Sequence, residues 1–356
     1  MLVRLLAFRV DGLLLLVAIS WGTTYLVAKD LVGPGSVLAL LAVRMLVAAP
    51  LMVGVVALSR RGRRAHGGGG ARADARRAGR RGPTRPEWAV GLLLGGLLSA
   101  VFLLETFGIA HTSATNAGVI ISLTIVFTPL LEAAVTRRAL PVRFYAAAAG
   151  ALLGAVLLTS GGAVSTPSLG DGLVLGAAVV RAVHVTVMHR LTSKRSRGEG
   201  DAPARPLDTS TLTAVQLATC AVVFTVGSAF VGESIPDYLR QLTPRDVALL
   251  LYLAVVCTVF AFFVQMWAVR RTSPTRVSLL LGTEPVWAAV VGASLAHDVL
   301  DPGGWAGVAL ILVATAWGRS IESRRPRPVR ALGPDGGTPR STAPRAGSRE
   351  DACFRR

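Results

Sequence analysis

Strongly polar side chains interrupt otherwise apolar stretches of this chain at Arg44, Glu105, Glu132, Arg181, His184, Gln216, Gln265 and Glu284. At bilayer depth a charged group costs about 2.5–3.5 kcal/mol on insertion scales, so each is a candidate for function unless a partner fixes it for packing. Glu284 is the leading one because Pro285 follows it. Proline has no amide hydrogen, so it interrupts the local ladder and frees a carbonyl to face a cavity. A carboxylate held out of water there can bind and release a proton during a transport cycle. The competing reading pairs Glu284 with Arg44 or Arg276 and makes it a packing element.

Arg44 and Arg181 keep their charge, so each needs an anion or water. Partnered by Glu284 and Glu105 they are gates or packing elements; left unpaired they draw a carboxylate or phosphate solute. His184 follows Arg181 by three residues, so both can face one cavity, and His titrates near neutral pH; a satisfied packing His is the alternative. His184 and His189 are about 140° apart around a helix, too far to chelate one metal from one face. Cys220, Cys257 and Cys353 have no paired spacing for a disulfide framework or a metal site, and no metal or cofactor is expected. Trp21 and Tyr25 are four apart and share a face, with core packing as the plain reading. Glu132 precedes Arg137 and Arg138, an interfacial ion pair by spacing. Gly91, Gly95 and Gly96, and Gly150 and Gly154, read as close helix contacts; no Lys-Ser/Thr follows them to make a phosphate loop.

The elements that must hold these residues are set by composition. Hydrophobic residues make up 52% of the 356 and charged residues 16%, with a mean hydropathy of +0.55; soluble domains carry about 25% charged residues. The net charge of +18 invites a nucleic-acid reading, but the cations fall between apolar runs of about 20 residues, the length of a membrane span. Ten runs can be marked: 10–28, 36–58, 88–110, 114–136, 144–163, 170–190, 209–231, 247–269, 275–296 and 303–320. Alternating strands are absent, so these read as helices, the other way to satisfy a backbone in lipid. The first run lacks a small-residue cleavage pattern and reads as a retained span. Of the 38 cations, 33 lie in gaps on one side, 3 on the other and 2 within spans. By the positive-inside rule both termini are cytoplasmic, in a multi-pass protein of the cell membrane. The basic loop 59–86 and the tail 322–356 have too few apolar residues to offset ordering.

A shift of 160 residues superimposes Glu105 on Gln265, Thr112-Ser113 on Thr272-Ser273, Thr115 on Thr275 and Asn116 on Arg276. It also puts Asp11-Gly12 on Asp171-Gly172, Trp21 on Arg181 and Thr24 on His184. With small loop adjustments Val43-Arg44 matches Val215-Gln216 and Gly150 matches Gly307. Two units of five spans follow, residues 1–165 and 166–321. An odd number of spans inverts the second copy, the architecture of secondary transporters with a mid-membrane site between the halves. Glu105 and Gln265 then sit as matching residues of two gates. Asn116 caps the fourth span at its positive end, where an anion could sit.

The pattern WGTTYLVAK at 21–29, Arg44, TSATNAGVIISL at 112–123, Gly-Asp-Gly at 170–172 and RRTSPTRVSLLLGTEPVWAAVVG at 270–292, followed by Gly-Trp-Ala-Gly, resembles the EamA family of the drug/metabolite transporter superfamily. The resemblance implies a ten-helix inner-membrane carrier, often an exporter of amino acids, metabolites or toxic compounds, with Trp21 and Tyr25 as an aromatic cavity wall. It also permits a lipid-carrier flippase. The chain departs from the family pattern at His297-Asp298, at Pro129 and at Arg181. The expectation is an all-α integral membrane protein of ten transmembrane helices in two inverted five-helix repeats. It would work by alternating access on a small solute, with a proton as coupling ion and a homodimer as a compatible assembly. A lipid-modifying enzyme would need a catalytic cluster on one face, and none is legible.

Overall fold

The computed structural model describes residues 2–32, 35–65, 83–111, 120–121, 123–137, 140–159, 168–196, 207–287, 290 and 302–323. Among them there is no strand. The order is α1 (Leu2–Leu31), α2 (Val37–Ala65), α3 (Arg85–Ala110), α4 (Thr124–Thr136), α5 (Val142–Thr159), α6 (Leu169–Ser196) and α7 (Thr209–Ser228). Then come a short α8 (Ile235–Gln241), α9 (Pro244–Ala254), a π-helical turn (Val255–Phe260), α10 (Ala261–Val269), α11 (Pro274–Leu281) and α12 (Pro302–Ser323). Five helices are long and apolar enough to cross a bilayer: Val37–Arg61, Arg85–Ala110, Leu169–Thr192, Thr209–Ser228 and the composite Pro244–Val269. Thr124–Thr136, Val142–Gly154 and Pro302–Gly318 are apolar but shorter.

Local chemistry explains where several helices begin. Thr84 and Glu87 form a capping box at the start of α3, each side chain taking the other's backbone amide, and Thr243 and Asp246 repeat it at α9. Asp208, Ser234 and Ser273 cap α7, α8 and α11. These caps answer the orphan amides of a first turn, and proline just inside the start loses nothing there. The loop expected over 59–86 is therefore helical at both ends, since α2 runs on to Ala65 and α3 opens at Arg85. Arg is a good helix former and cations suit a helix C-terminus; Arg60 also donates to Thr211 Oγ1 at 3.2 Å.

Helices meet where side chains vanish. A Cβ on Gly95 would lie 2.5 Å from Thr219 Cβ and 2.9 Å from the Gln216 carbonyl oxygen, so α3 touches α7 at the backbone. A Cβ on Gly154 would lie 2.8 Å from the Gly307 carbonyl oxygen, which joins α5 to α12. Gly91 and Gly154 thus make the expected close contacts, while Gly96 has nothing within 4 Å and takes no part.

Two of the expected spans are not continuous. In the ninth, α11 ends at Leu281 with Gly282 as its cap, and helix resumes at 284–287. In the fourth, helical residues 120–121 precede a turn at Leu123 and α4. The two interruptions share one hydrogen-bond pattern. Leu123 N donates to Ile120 O and accepts at its carbonyl from Val126 N and Phe127 N; Thr283 N donates to Leu280 O and accepts from Val286 N and Trp287 N. Each pair of partners is 160 residues apart. The repeat read from the letters is present in the backbone.

Candidate functional site

Between the interrupted helices lies a pocket of about 420 Å³, counted to its open mouth. It is lined by Trp21 from α1, Ile121, Thr124 and Ile125 at the first interruption, Arg181 and Val185 from α6, Gln265 from α10, and Ser278, Leu281, Gly282, Glu284 and Pro285 at the second. Four pairs of lining residues are repeat mates: Trp21 with Arg181, Ile121 with Leu281, Thr124 with Glu284, and Ile125 with Pro285. The pocket therefore sits where the two copies face each other.

Arg181 is the centre of its charge. Its Nη2 lies 3.2 Å from Glu105 Oε2 and its Nη1 3.5 Å from Glu284 Oε2. Its guanidinium carbon lies 5.3 Å from the centroid of the Trp21 ring, a cation–π arrangement. Trp21 in turn donates its indole N–H to the Cys257 carbonyl at 3.0 Å and packs against Phe262. Arg181 is thus a clamp between two carboxylates rather than an unpaired cation, and the pairing of Glu284 is with Arg181, not with Arg44 or Arg276. Sequence spacing does not give the rotation of each helix about its axis, which brings Glu284 of the same copy and Glu105 of the other onto Arg181.

Arg44 is buried and serves elsewhere. Its Nε donates to Thr258 Oγ1 at 2.7 Å, its Nη2 to the Cys257 carbonyl at 3.4 Å, and its guanidinium lies 5.1 Å from the Phe102 ring centroid. Both acceptors sit in the π-helical turn, a local widening frequent at functional sites. Among the described residues no carboxylate lies at ion-pair distance from Arg44.

His184 does not face the pocket with Arg181. It is buried against α7, where its Nε2 lies 3.1 Å from Gln216 Oε1. Gln216 is fully buried and its Nε2 has no hydrogen-bond partner. Gln265 lines the pocket, 2% exposed, with an unpartnered Oε1. Glu105 holds Arg181 and Gln265 lines the same pocket, so the structure brings the two repeat mates to one site. The Tyr25 side chain and Asn116 lie outside the described residues, as do His297 and Asp298.

Arg276 makes a two-pronged ion pair with Asp11, 3.0 Å from Nε and 2.8 Å from Nη2. Arg138 lies outside the described residues, and among them Glu132 makes no ion pair with Arg137. Its carboxylate accepts from the Thr275 amide at 3.0 Å and from the Thr275 hydroxyl, at the first turn of α11, where the positive helix end favours an anion.

The residues that reasoning from sequence passed over are Thr124, Asp11 and Thr258. Thr124 was signalled by the 160-residue shift from Glu284. Asp11 was seen as a repeat position but not as a partner. Thr258 had no signal, because a π-helical turn leaves no periodicity of its own.

The sequence profile of the EamA-like transporter family matches residues 9–160 and again residues 168–317. An uncharacterized transporter of Archaeoglobus fulgidus is 28% identical over 222 residues, covering 59% of this chain and 70% of that protein. A protein of known crystal structure superposes with a TM-score of 0.65 over 89% of this chain and 98% of its own, at 15% identity, and so shares the fold.

Proposed function

Because the chain belongs to the EamA-like transporter family, a family of integral membrane proteins, we propose that it is a secondary transporter moving a small solute by alternating access, and that it works as an exporter. In this reading ten spans form two inverted repeats, residues 1–165 and 166–321, in the cell membrane with both termini cytoplasmic. The pocket between the repeats takes the solute, Trp21 walls it, and Gln265 Oε1 accepts a hydrogen bond from a solute N–H or O–H. Glu284 carries the coupling proton, releasing Arg181 when it is protonated and recapturing it when it is not. Arg44 and the His184–Gln216 pair hold the walls of the site.

One observation carries this reading: a pocket assembled from repeat-mate residues with a part-buried Arg181 shared by Glu105 and the buried Glu284. A charge cluster held largely out of water is costly unless it has work to do. A cluster that can exchange partners suits a cycle in which the two repeats trade conformations.

Counterflow in proteoliposomes across a panel of amino acids, amines, sugars and hydrophobic cations tests it, with and without a pH gradient. Flux of at least one compound that Glu284→Gln uncouples from the gradient supports the proposal. No flux of any compound under either condition overturns it.

A further inference from the structure

Four of the elements that line the pocket, α1, α4, α6 and α11, are also tied together beneath it, at the ends facing the cation-rich side. Span one contributes Asp11, about ten residues before Trp21, and span nine contributes Arg276 just ahead of Ser278. Their bidentate pair joins α1 to α11, with side chains 8% and 16% exposed. Glu132 joins α4 to the same first turn of α11 through the amide and hydroxyl of Thr275. Arg190, near the far end of α6, donates to the Val135 carbonyl and joins α6 to α4. The three links run in series, α1 to α11 to α4 to α6, and none of their residues lines the pocket.

From this series we infer that Asp11, Arg276, Glu132 and Arg190 form the inner gate of the transport cycle, closed in this conformation and opened by separating α11 from α1 and α4. The inference rests on the transporter reading above. α11 is the element that moves, because two links converge on its first turn and its far end is released at Gly282–Thr283, where the helix is interrupted. A segment clamped at one end and jointed at the other can swing only at the clamp.

The repeat sharpens the assignment. In an inverted duplication the outer gate is built from the mates of the inner one. The mate of Asp11 is Asp171, and the residue 160 positions before Arg276 is Asn116. Asp171 takes the Ser168 amide at 2.6 Å and caps the start of α6. By sequence, the position that corresponds to the latch's cation in the first copy is neutral.

The test uses the full chain with Cys220, Cys257 and Cys353 replaced by Ala and Ser278→Cys added as a reporter in the pocket lining. Labelling by a membrane-impermeant maleimide is timed from each face of oriented vesicles. The parent labels slowly from the cytoplasmic face. Asp11→Asn and Arg276→Gln each raise that rate by about ten-fold or more, which corresponds to a shift of about 1.4 kcal/mol between the two conformers. The exchanged pair Asp11→Arg with Arg276→Asp returns it to near the parent value, which a merely destabilised fold does not do. An unchanged cytoplasmic rate in both single variants, or an exchanged pair as reactive as the singles, overturns the gate. Retained elution as a monodisperse peak and an unraised rate from the outer face separate gate opening from unfolding. Raised labelling in a protein that moves no compound in counterflow leaves the ionic latch as a conformational closure and removes the transporter reading; flux with no change in labelling keeps that reading and overturns the gate.

Discussion

The two copies of the repeat agree in backbone and disagree in charge. At Leu123 and Thr283 the helix is interrupted with the same set of amide and carbonyl partners. Around those points the first copy places Trp21, Glu105 and Thr124, and the second places Arg181, Gln265 and Glu284. Duplication explains the shared break, since both copies carry the same local pattern of amide and carbonyl partners. The side chains are under no such symmetry, because the ion cluster draws different residue types from the two copies. A cation from one copy, Arg181, meets the acid of the other, Glu105, and the acid of its own, Glu284. Symmetric machinery thus carries an asymmetric load.

The largest effect that can break this comparison is at Arg181. Arg181→Ala strands the buried Glu284 carboxylate and the part-buried Glu105 carboxylate; the loss stays below the about 3–5 kcal/mol of breaking a fully buried ion pair. Unfolding in detergent should show that loss, and counterflow should be abolished. If stability and flux survive, the cluster is not the axis of the site.

Glu284→Gln keeps the shape and removes the charge. Proton-driven flux should disappear while solute exchange partly persists, read by counterflow with and without a pH gradient; if both are retained the residue is structural. A reciprocal exchange, Thr124→Glu with Glu284→Thr, moves the carboxylate to its repeat mate. Gradient dependence should reappear at a reduced rate if the two breaks are equivalent, and stay absent if only the second can present a carboxylate to Arg181.

Gly282→Ala addresses the break itself. Its Cβ would lie 2.4 Å from Ile125 Cδ1 and 3.0 Å from the Ser278 carbonyl oxygen. Forcing the two interruptions apart should cost about 1–3 kcal/mol, as overpacking does, with slower exchange. Thr124→Val is the smallest test. Its hydroxyl reaches the Ala178 carbonyl at a long 3.5 Å, so its loss should cost about 0.5 kcal/mol in the same unfolding assay, the low end for a hydrogen bond.

Much of this fold could be read from the letters. Apolar runs, the distribution of arginine and the 160-residue shift are properties of spacing, and spacing is what a helix in lipid dictates. The boundaries of the basic loop were legible too: Thr84-Arg85-Pro86-Glu87 is a capping box, but it lay in a segment judged by composition alone. The site was only half legible. Arg181, Glu105 and Glu284 were all visible as polar residues at depth, yet who pairs with whom depends on how each helix is turned about its axis. Arg276 could not be assigned to Asp11 over Glu284 from sequence, because the two acids belong to different helices at different heights. Glu132 was misplaced for the same reason: its near neighbours in sequence are arginines, but the first turn of α11 is nearer in space.

The π-helical turn at Val255–Phe260 has a consequence for inheritance. An α-helix advances about 100° per residue, so a turn that lodges one residue more than the ladder needs stores a phase slip of that size. Everything downstream of it, Gln265 included, is aimed by that slip. Deleting a single residue between Val255 and Val259 would restore a regular helix and swing Gln265 about 100° away from the pocket, with hardly any change in hydropathy. The uninterrupted α3 of the first copy is what such a deletion would resemble. The eighth span therefore carries its aim as a count of residues rather than as the identity of any one of them.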